Sequence, residues 1–594
     1  MSDMTTRPTL RGTFGMTSST HWLASQSAMA ELEAGGNAFD AAIAGAFVLH
    51  VVEPHLNGPG GEVPAVFATA ADPTPVVLCG QGVAPAGATT AHFRGLGLDL
   101  VPGSGPLAAA VPGAVDAWLM LGQDHGTRSL RDVLSYAAGY ARHGHPLLPR
   151  AAATVATMEQ LFTDHWPTSA AHWIPQARLP QPWQVVVNPA YADVLDRLVD
   201  TGEAAGRDRD AQYAAARRAW REGFVADAVD AFQRQPFQDS SGEAHAGVLT
   251  GADMAAWSAS YEPAVTQSFR GFEIAKTDLW GQGPVLLQSL AVLDGLPDEA
   301  LDPATADGAH LTTEVLKLAF ADREAWYGDG SDVSVAELLD AAYVAERRSL
   351  VGELASAELR PGSPGGREAR LAAHVLRESA APPHAAGLGE PTVSLTGETR
   401  GDTCHIDVVD RWGNLISATP SGGWLQSSPT VPELGFPLGS RMQMFWLDDG
   451  LPSSLVPGHR PRTTLSPTLV LRDGVPVYAV GTPGGDQQDQ WQLVFLLRLL
   501  AGGQELQQAI DAPMFHTDSL PSSFYPRAMS PASLVVEDRM GDDVLEALAA
   551  RGHRIIRAGP WTLGRLCAVS RDPETGLLGA GANPRSNQGY ACGR

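Results

Sequence analysis

Positively charged residues are scarce in this chain of 594 residues, which carries 41 Lys and Arg against 66 Asp and Glu and has a formal net charge of −25. Only two of the basic residues are lysines, Lys276 and Lys317, and this arginine-heavy composition is typical of a GC-rich genome. A protein that binds nucleic-acid phosphates or an anionic membrane surface needs a basic face. The charge balance therefore excludes both of these partner classes.

Cysteines are also few, and the four that are present, Cys79, Cys404, Cys567 and Cys592, lack the paired CxxC spacing. This pattern argues against a disulfide framework and against a cysteine zinc site. No apolar run reaches the length of about 20 residues that spans a bilayer, and residues 1–8 lack the charged-then-apolar pattern of a secretory signal. These absences predict a cytoplasmic protein without a metal or a cofactor.

Hydrophobic residues make up 44% of the chain and charged residues 18%, which is an ordinary globular profile with ample material for a core. Residues 23–34 are predicted to form a helix that ends at a pair of glycines. Asn37 follows as the expected N-cap of a second helix, with Asp40 as its capping partner and an end just before Pro54. A tight glycine loop at 58–61 comes next.

The composition changes in the second half of the chain. Residues 355–402 are rich in Pro, Gly and Ala, which predicts a mobile segment. Residues 403–409 and 415–419 then have the pattern of two strands joined by a turn. Further on, the loop 481–485 follows a strand and opens a helix, for which Asp486 is the expected N-cap.

Thr403 lies at the junction between the mobile segment and the first of these strands. If the bond between Asp402 and Thr403 were cut, the new α-amino group could take the proton of the threonine hydroxyl. Such an amine has an ordinary pKa of about 7.7–8.0, close to working pH. Paired glycines at a helix start, such as Gly484 and Gly485, could hold an oxyanion with their N–H groups. Taken alone, Thr403 also fits an ordinary β-branched residue in a strand, and the glycine pair also fits a plain turn.

Short motifs in a fixed order run nearly the whole length of the chain. They are AGGNAFDAA at 34–42, VEP at 52–54, GPGG at 58–61, VPG at 111–113, ADR at 321–323, YGD at 327–329, DTCH at 402–405, PGHRP at 457–461, SP at 466–467, PGG at 483–485 and NPR at 583–585. Together they resemble the γ-glutamyltransferase family of N-terminal nucleophile hydrolases.

The resemblance implies an α/β (α+β) fold, a four-layer αββα sandwich formed by an autocleaved precursor. Residues 1–402 would be the large subunit and residues 403–594 the small subunit, and the two fragments would form a heterodimer that handles a small-molecule substrate. A higher oligomer is left open. The residues that the resemblance assigns to catalysis are the nucleophile Thr403, the supporting hydroxyl of Ser421 and the oxyanion glycines Gly484 and Gly485.

Substrate recognition is where this sequence departs from the family pattern. The positions that the resemblance assigns to substrate binding are Thr90, Gly423, Met444, Thr463 and Thr464. The last two keep the hydroxyls of a paired-serine motif. At the first three, the family has an arginine, an asparagine and an acidic residue, and Arg94 is near the first but out of register. Burying a zwitterionic amino acid head group without partner charges is costly, so the sequence predicts that γ-glutamyl compounds are not the substrate.

Three hypotheses follow from the residues and the resemblance. The first is an autoprocessing hydrolase that cleaves an amide or related acyl bond, with Trp424, Met442 and Met444 either lining an apolar pocket or lying in the core. The second is a C–C bond hydrolase of specialised metabolism, in the 4-alkylproline branch of antibiotic biosynthesis, where some family members act. The third is an uncleaved, non-catalytic binding homologue.

Overall fold

The computed structural model describes residues 4–380, 403–585 and 589–594. The strands are β1 Leu10–Gly12, β2 Gly15–Ser19, β3 Val63–Ala68, β4 Val76–Gly80, β5 His145–Pro146, β6 Val185–Val186, β7 Phe237–Gln238, β8 Ala244–His245, β9 Ser260–Pro263, β10 Val265–Phe269, β11 Phe272–Lys276, β12 Ile406–Asp410, β13 Leu415–Ala418, β14 Thr468–Arg472, β15 Val475–Gly481, β16 Phe515–His516, β17 Ser533–Val536, β18 Arg554–Arg557, β19 Cys567–Arg571, β20 Leu578–Ala582 and β21 Tyr590–Gly593. The α-helices are α1 Trp22–Glu33, α2 Ala38–Val52, α3 Thr90–Gly95, α4 Ala114–His125, α5 Leu130–His143, α6 Pro149–Thr157, α7 Glu159–His165, α8 Pro167–Trp173, α9 Pro189–Ala204, α10 Arg209–Glu222, α11 Phe224–Gln233, α12 Gly251–Ala256, α13 Pro284–Leu293, α14 Ala306–Trp326, α15 Val335–Leu338, α16 Ala341–Ser349, α17 Ala373–Ala380, α18 Gln488–Leu496, α19 Leu506–Asp511 and α20 Asp542–Ala550.

Two seven-stranded antiparallel sheets form the centre of the molecule. Their strand orders are β1-β20-β19-β15-β14-β11-β10 and β21-β2-β12-β13-β3-β4-β9. Side chains from the facing surfaces of both sheets, such as Val66 and Leu469, pack into one buried cluster between them. Each strand contributes alternate residues to this cluster because successive side chains point to opposite faces.

A helical layer covers the outer face of each sheet. The helices α1, α2, α4, α5, α9 and α10 pack on the sheet that contains β12, in a large apolar cluster that includes Ile43 and Ile406. The helices α13, α14 and α18 pack on the other sheet, in a cluster that includes Leu290 and Val480. The predicted four-layer αββα sandwich is confirmed.

Local predictions around the site can be compared with these elements directly. Asn37 caps α2 in a reciprocal capping box with Asp40, as expected. The prediction that Asp486 is an N-cap is wrong: α18 begins at Gln488, and residues 485–487 form a 3₁₀ turn. The Asp486 side chain instead accepts hydrogen bonds from the backbone and hydroxyl of Ser523 and pairs with Arg323. A distant charged partner has outweighed the local capping preference.

The segment predicted to be mobile is only partly described. Asp402 and the rest of 381–402 lie outside the described residues. Residues 355–380 carry defined contacts: Ala372 and Val375 are buried, and Trp326 donates to the carbonyl of Gly362. The mobility of this segment therefore stays a prediction. Among the described residues, no helix combines the length and the apolar character needed to cross a membrane.

Several histidines are buried without charge, and this makes a prediction about acid stability. Burial lowers the pKa of His50 and His55 to about 3 and that of His145 to about 4. Since the ordinary value is about 6.5, the unfolded chain binds more protons than the folded chain between pH 6.5 and 4. Their contribution to stability is therefore present above pH 6.5 and is lost as the pH falls.

We expect the free energy of unfolding to fall from pH 7 to pH 4, with each such histidine contributing up to about 1.4 kcal/mol per pH unit. The measurement is urea unfolding across this range. His55→Leu should flatten the pH dependence because it removes one of these titrating rings. The substitution breaks no hydrogen bond, since neither ring nitrogen of His55 has a partner among the described residues. The matched control is His143→Ala, since His143 is exposed. Equal slopes in wild type and His55→Leu would contradict the prediction.

Candidate active site

Thr403 lies next to Ser421 at the edge of a short backbone ladder. An antiparallel bridge pairs Thr403 with Ser421, and a second bridge pairs Ser421 with Glu62. Cys404 N–H donates to the carbonyl of Pro420 (2.9 Å), which fixes the register one residue after Thr403. The hydroxyl oxygens of Thr403 and Ser421 are 3.3 Å apart, and both residues are buried. The structure thus brings the predicted nucleophile and its supporting hydroxyl together.

A buried ion pair supports this pair of hydroxyls from one side. Arg441 Nη2 donates to Ser421 Oγ (3.1 Å), and Arg441 Nε donates to Glu62 Oε1 (2.6 Å). Burial raises the pKa of Glu62, and the guanidinium opposes that rise. Because arginine can only donate, Ser421 Oγ accepts here and can present its own proton to Thr403. The contacts therefore run from Arg441 through Ser421 to Thr403, and either hydroxyl of the Thr403–Ser421 pair can be the donor.

Apolar side chains enclose the guanidinium of Arg441. Trp424, Met444 and Phe524 form a small buried cluster of their own. Arg441 lies 5.6 Å from the Trp424 ring centre and 6.0 Å from that of Phe524, and Nη1 is 3.5 Å from Met444 Sδ. Such a low-dielectric surrounding strengthens every polar contact inside it. Trp424 and Met444 thus border the site, whereas Met442 lies in a different core cluster.

Cys404, next to the candidate nucleophile, has a structural role. Its thiol donates to Glu53 Oε2 (2.9 Å) and accepts from Asn57 Nδ2 (3.0 Å). Burial raises the pKa of the Cys404 thiol well above its ordinary value, and the carboxylate of Glu53 raises it further. A neutral, buried thiol is a poor nucleophile, so Thr403 is the better candidate of the two.

The two predicted oxyanion glycines have backbone conformations that demand glycine. Gly484 has φ +130° and Gly485 has φ +52°, in the region that L-residues rarely adopt. A Cβ on Gly484 would lie 2.4 Å from the ring of Trp491. Gly484 lies between β15 and the 3₁₀ turn that leads into α18, and Gly485 is the first residue of that turn.

Buried polar contacts tie this glycine loop to the segment that holds Thr463 and Thr464. Ser466 N–H donates to Gln488 Oε1 (3.0 Å) and Ser466 Oγ to Asp489 Oδ1 (2.6 Å). Both threonines are buried, and Thr464 Oγ1 has no hydrogen-bond partner among the described residues. A threonine hydroxyl in that state is available to a ligand.

The positions that the sequence assigns to the substrate head group offer no charge. Gly423 packs by its backbone against the 58–61 loop, and Met444 lies in the apolar cluster. Thr90 is the first residue of α3 and is partly exposed. The nearby Arg94 donates to the carbonyl of Leu447 (2.7 Å) and is half-exposed, so it serves the loop after Met444.

Sequence reasoning missed the residues that support the site from a distance. Glu62 and Arg441 carry no motif signal, although Glu62 directly follows the GPGG loop. Arg527 is also absent from the sequence argument, yet its guanidinium donates to the carbonyls of Gln443 and Phe445 on either side of Met444. These contacts join segments far apart in the chain, and no local pattern could have indicated them.

Two antiparallel sheets between two helical layers are the fold of the N-terminal nucleophile class of hydrolases. The chain belongs to the gamma-glutamyltranspeptidase family, whose model matches residues 24–593. Family members are hydrolases and acyltransferases, and this protein is an enzyme of that kind.

Three relatives illustrate the range of the family. The acylase ACY 1 proenzyme of Pseudomonas sp. (strain SE83) is 29% identical over 96% of this chain and 92% of its own. The oxamate amidohydrolase proenzyme of Klebsiella pneumoniae is 30% identical over 98% of each chain. The solved structure of a threonine-to-alanine variant of LmbA2991 is 59% identical, with a TM-score of 0.94 over the full length of both chains.

The buried ion pair of Arg441 and Glu62 beside Ser421 can be tested with single and double variants. Glu62→Gln or Arg441→Met alone should destabilise the protein by about 3–5 kcal/mol, because each leaves an uncompensated buried charge. The double variant should recover most of that loss while remaining impaired in any reaction at Thr403. Urea unfolding measures the first effect, and activity measures the second.

Arg131→Gln is the control for this prediction, because its pair with Glu203 is exposed and should contribute less than about 1 kcal/mol. Additive losses in the double variant would show that the two side chains do not stabilise each other.

Proposed function

We propose that this protein is an autoprocessing hydrolase that uses the N-terminal threonine of a cut chain, Thr403, to cleave an amide or related acyl bond outside the γ-glutamyl class. The observation that carries the proposal is the chain of contacts from Arg441 through Ser421 to the hydroxyl of Thr403. When Ser421 is the donor in this pair, the hydrogen bond that it gives to Thr403 Oγ1 stabilises the negative charge that develops there. The proenzyme names of the relatives support processing of one precursor into two subunits.

The proposed reaction follows from these groups. After the 402–403 bond is cut, the Thr403 amine takes the hydroxyl proton as Oγ1 attacks the substrate carbonyl. Gly484 and Gly485 N–H groups hold the oxyanion. The tetrahedral intermediate collapses, the C–N bond breaks and the amine returns the proton to the leaving nitrogen. Water then adds to the acyl-threonine ester by the same route, and the free acid leaves with the hydroxyl restored.

The acyl part of the substrate is proposed from the charges around the nucleophile. A γ-glutamyl group brings a carboxylate and an ammonium, and each needs an opposite charge when buried. Thr90, Gly423 and Met444 supply none, and Arg441 is already neutralised by Glu62. An acyl group without a zwitterionic head suits such a site, and the apolar side chains of Trp424 and Phe524 give it a surface to pack on.

Cleavage at Thr403 is tested by mass and N-terminal sequencing. The wild type should yield two fragments, the smaller beginning Thr403-Cys404-His405. Thr403→Ser keeps a hydroxyl and should still split, whereas Thr403→Ala should remain one chain. Cys404→Ala is the matched control and should still split, because the Cys404 thiol is neutral and points to Glu53. A Thr403→Ala chain that splits at the same bond would contradict the assignment.

Substrate class is tested with a kinetic panel of anilides that share one leaving group. We expect kcat/KM for the γ-glutamyl anilide to be at least about 100-fold below that of the best acyl anilide, because two charged contacts at about 1.5–3 kcal/mol each are missing. Efficient γ-glutamyl turnover would overturn this part of the proposal.

The second candidate, ranked below amide hydrolysis, is cleavage of a C–C bond beside a carbonyl, for which the apolar cluster of Trp424, Met444 and Phe524 offers an uncharged surface. The same attack by Thr403 would break the C–C bond and release a resonance-stabilised carbanion, which takes the proton held by the Thr403 amine. The acyl-threonine ester that remains would then be hydrolysed by water. A 1,3-diketone series added to the panel separates the two, since turnover of diketones without turnover of amides would select the second candidate.

A further inference from the structure

A buried group of ionisable side chains lies on elements that the proposed reaction does not use. His310 and Glu314 are on α14, and His553 lies between α20 and β18. One potential ligand atom from each of the three residues lies within 4.8 Å of the others, and all three residues are buried. His310 and Glu314 are four residues apart, so a helix places them on the same face.

The hydrogen bonds of His310 fix which nitrogen carries its proton. His310 Nε2 is 2.9 Å from the carbonyl oxygen of Gly352, which can only accept, so Nε2 is the protonated nitrogen. The lone pair of Nδ1 therefore faces His553 Nε2, 2.8 Å away. A backbone carbonyl that holds the outer N–H of a histidine is the usual second-shell support of a metal ligand.

The second imidazole faces the same space as the first. His553 Nε2 is the ring nitrogen turned toward His310 Nδ1, 2.8 Å away. The Nδ1 of His553, on the opposite edge of the ring, has no hydrogen-bond partner among the described residues. Two ring nitrogens that face each other in this way are the pair that a shared metal ion would occupy.

Two cations already contact Glu314 and must be weighed against a metal. Lys317 Nζ pairs with Glu314 Oε1 and also donates to the carbonyl of Ser356 (2.7 Å), while Arg360 lies 3.4 Å from Oε2. A metal ion would replace the ammonium on one carboxylate oxygen, and Lys317 would keep its bond to Ser356.

We propose that His310, Glu314 and His553 form a binding site for a divalent transition-metal ion of the Zn²⁺ type, which cross-links the two fragments of the processed chain. Two imidazoles and one carboxylate are a donor set that suits Zn²⁺ and leaves a fourth position for water. His310 and Glu314 belong to residues 1–402 and His553 to residues 403–594. The cross-link rests on the proposed cleavage at Thr403, whereas the binding site does not.

Binding is tested by titrating chelator-stripped protein with Zn²⁺ in competition with a chromogenic chelator. We expect one equivalent per chain. His310→Ala and His553→Ala should weaken binding by at least about 100-fold, because even loss of an outer hydrogen-bond partner costs roughly 10–100-fold. Glu314→Gln keeps the side-chain shape and should also weaken binding if the alanine variants fail to fold. His143→Ala, an exposed histidine, is the matched control.

The outcomes separate the site from the proposed function. Thr403→Ala should bind Zn²⁺ as wild type does, so a failure of processing leaves the metal result intact. In processed protein, a chelator should lower the urea midpoint of wild type and have no effect on His553→Gln. No stoichiometric binding, or wild-type affinity in the three variants, would overturn the site. Chelator resistance of processed wild type with Zn²⁺ binding intact would overturn the cross-link.

Discussion

The backbone ladder that pairs Thr403 with Ser421 and Ser421 with Glu62 is the constraint on which the candidate site depends. It sets the two hydroxyl oxygens 3.3 Å apart and brings the Glu62 carboxylate to the same place. Arg441 then bridges Ser421 and Glu62 by donating a hydrogen bond to each of them. A shift of one residue in this ladder would turn every side chain to the opposite face. The backbone pairing therefore sets which side chains can meet at this site.

Buried polar groups are arranged differently at the two sites. At Thr403, Arg441 and Glu62 cancel each other within an apolar enclosure, so the site presents hydrogen-bond donors without net charge. Around His310, two imidazole nitrogens face each other in a buried space. Charge that is buried without compensation is expensive, and the pairing of Arg441 with Glu62 avoids that cost at the site proposed to take an uncharged acyl group.

The topology also bears on what processing would do to the protein. In the sheet that contains β12, strands from both sides of residue 402 are interleaved, since β2 and β3 flank the pair β12 and β13. Two fragments joined in this way share one hydrogen-bonded sheet and its core. Cleavage at Thr403 would thus create a new amine without separating the parts that position it.

The sequence by itself determined the family, the layered fold, the cap at Asn37 and the identity of Thr403, Ser421, Gly484 and Gly485 as candidates, because short motifs and local hydrogen-bonding rules carry that information. It failed at Asp486, where pairing with Arg323 outweighs capping. Only the tertiary structure decided that Arg441, Glu62, Phe524 and Arg527 surround the site, that Cys404 is a buried structural thiol, and that His553 meets His310. The physical reason is that these contacts join residues tens to hundreds of positions apart, where side-chain distance is set by sheet pairing and helix packing and leaves no periodic signal in the chain.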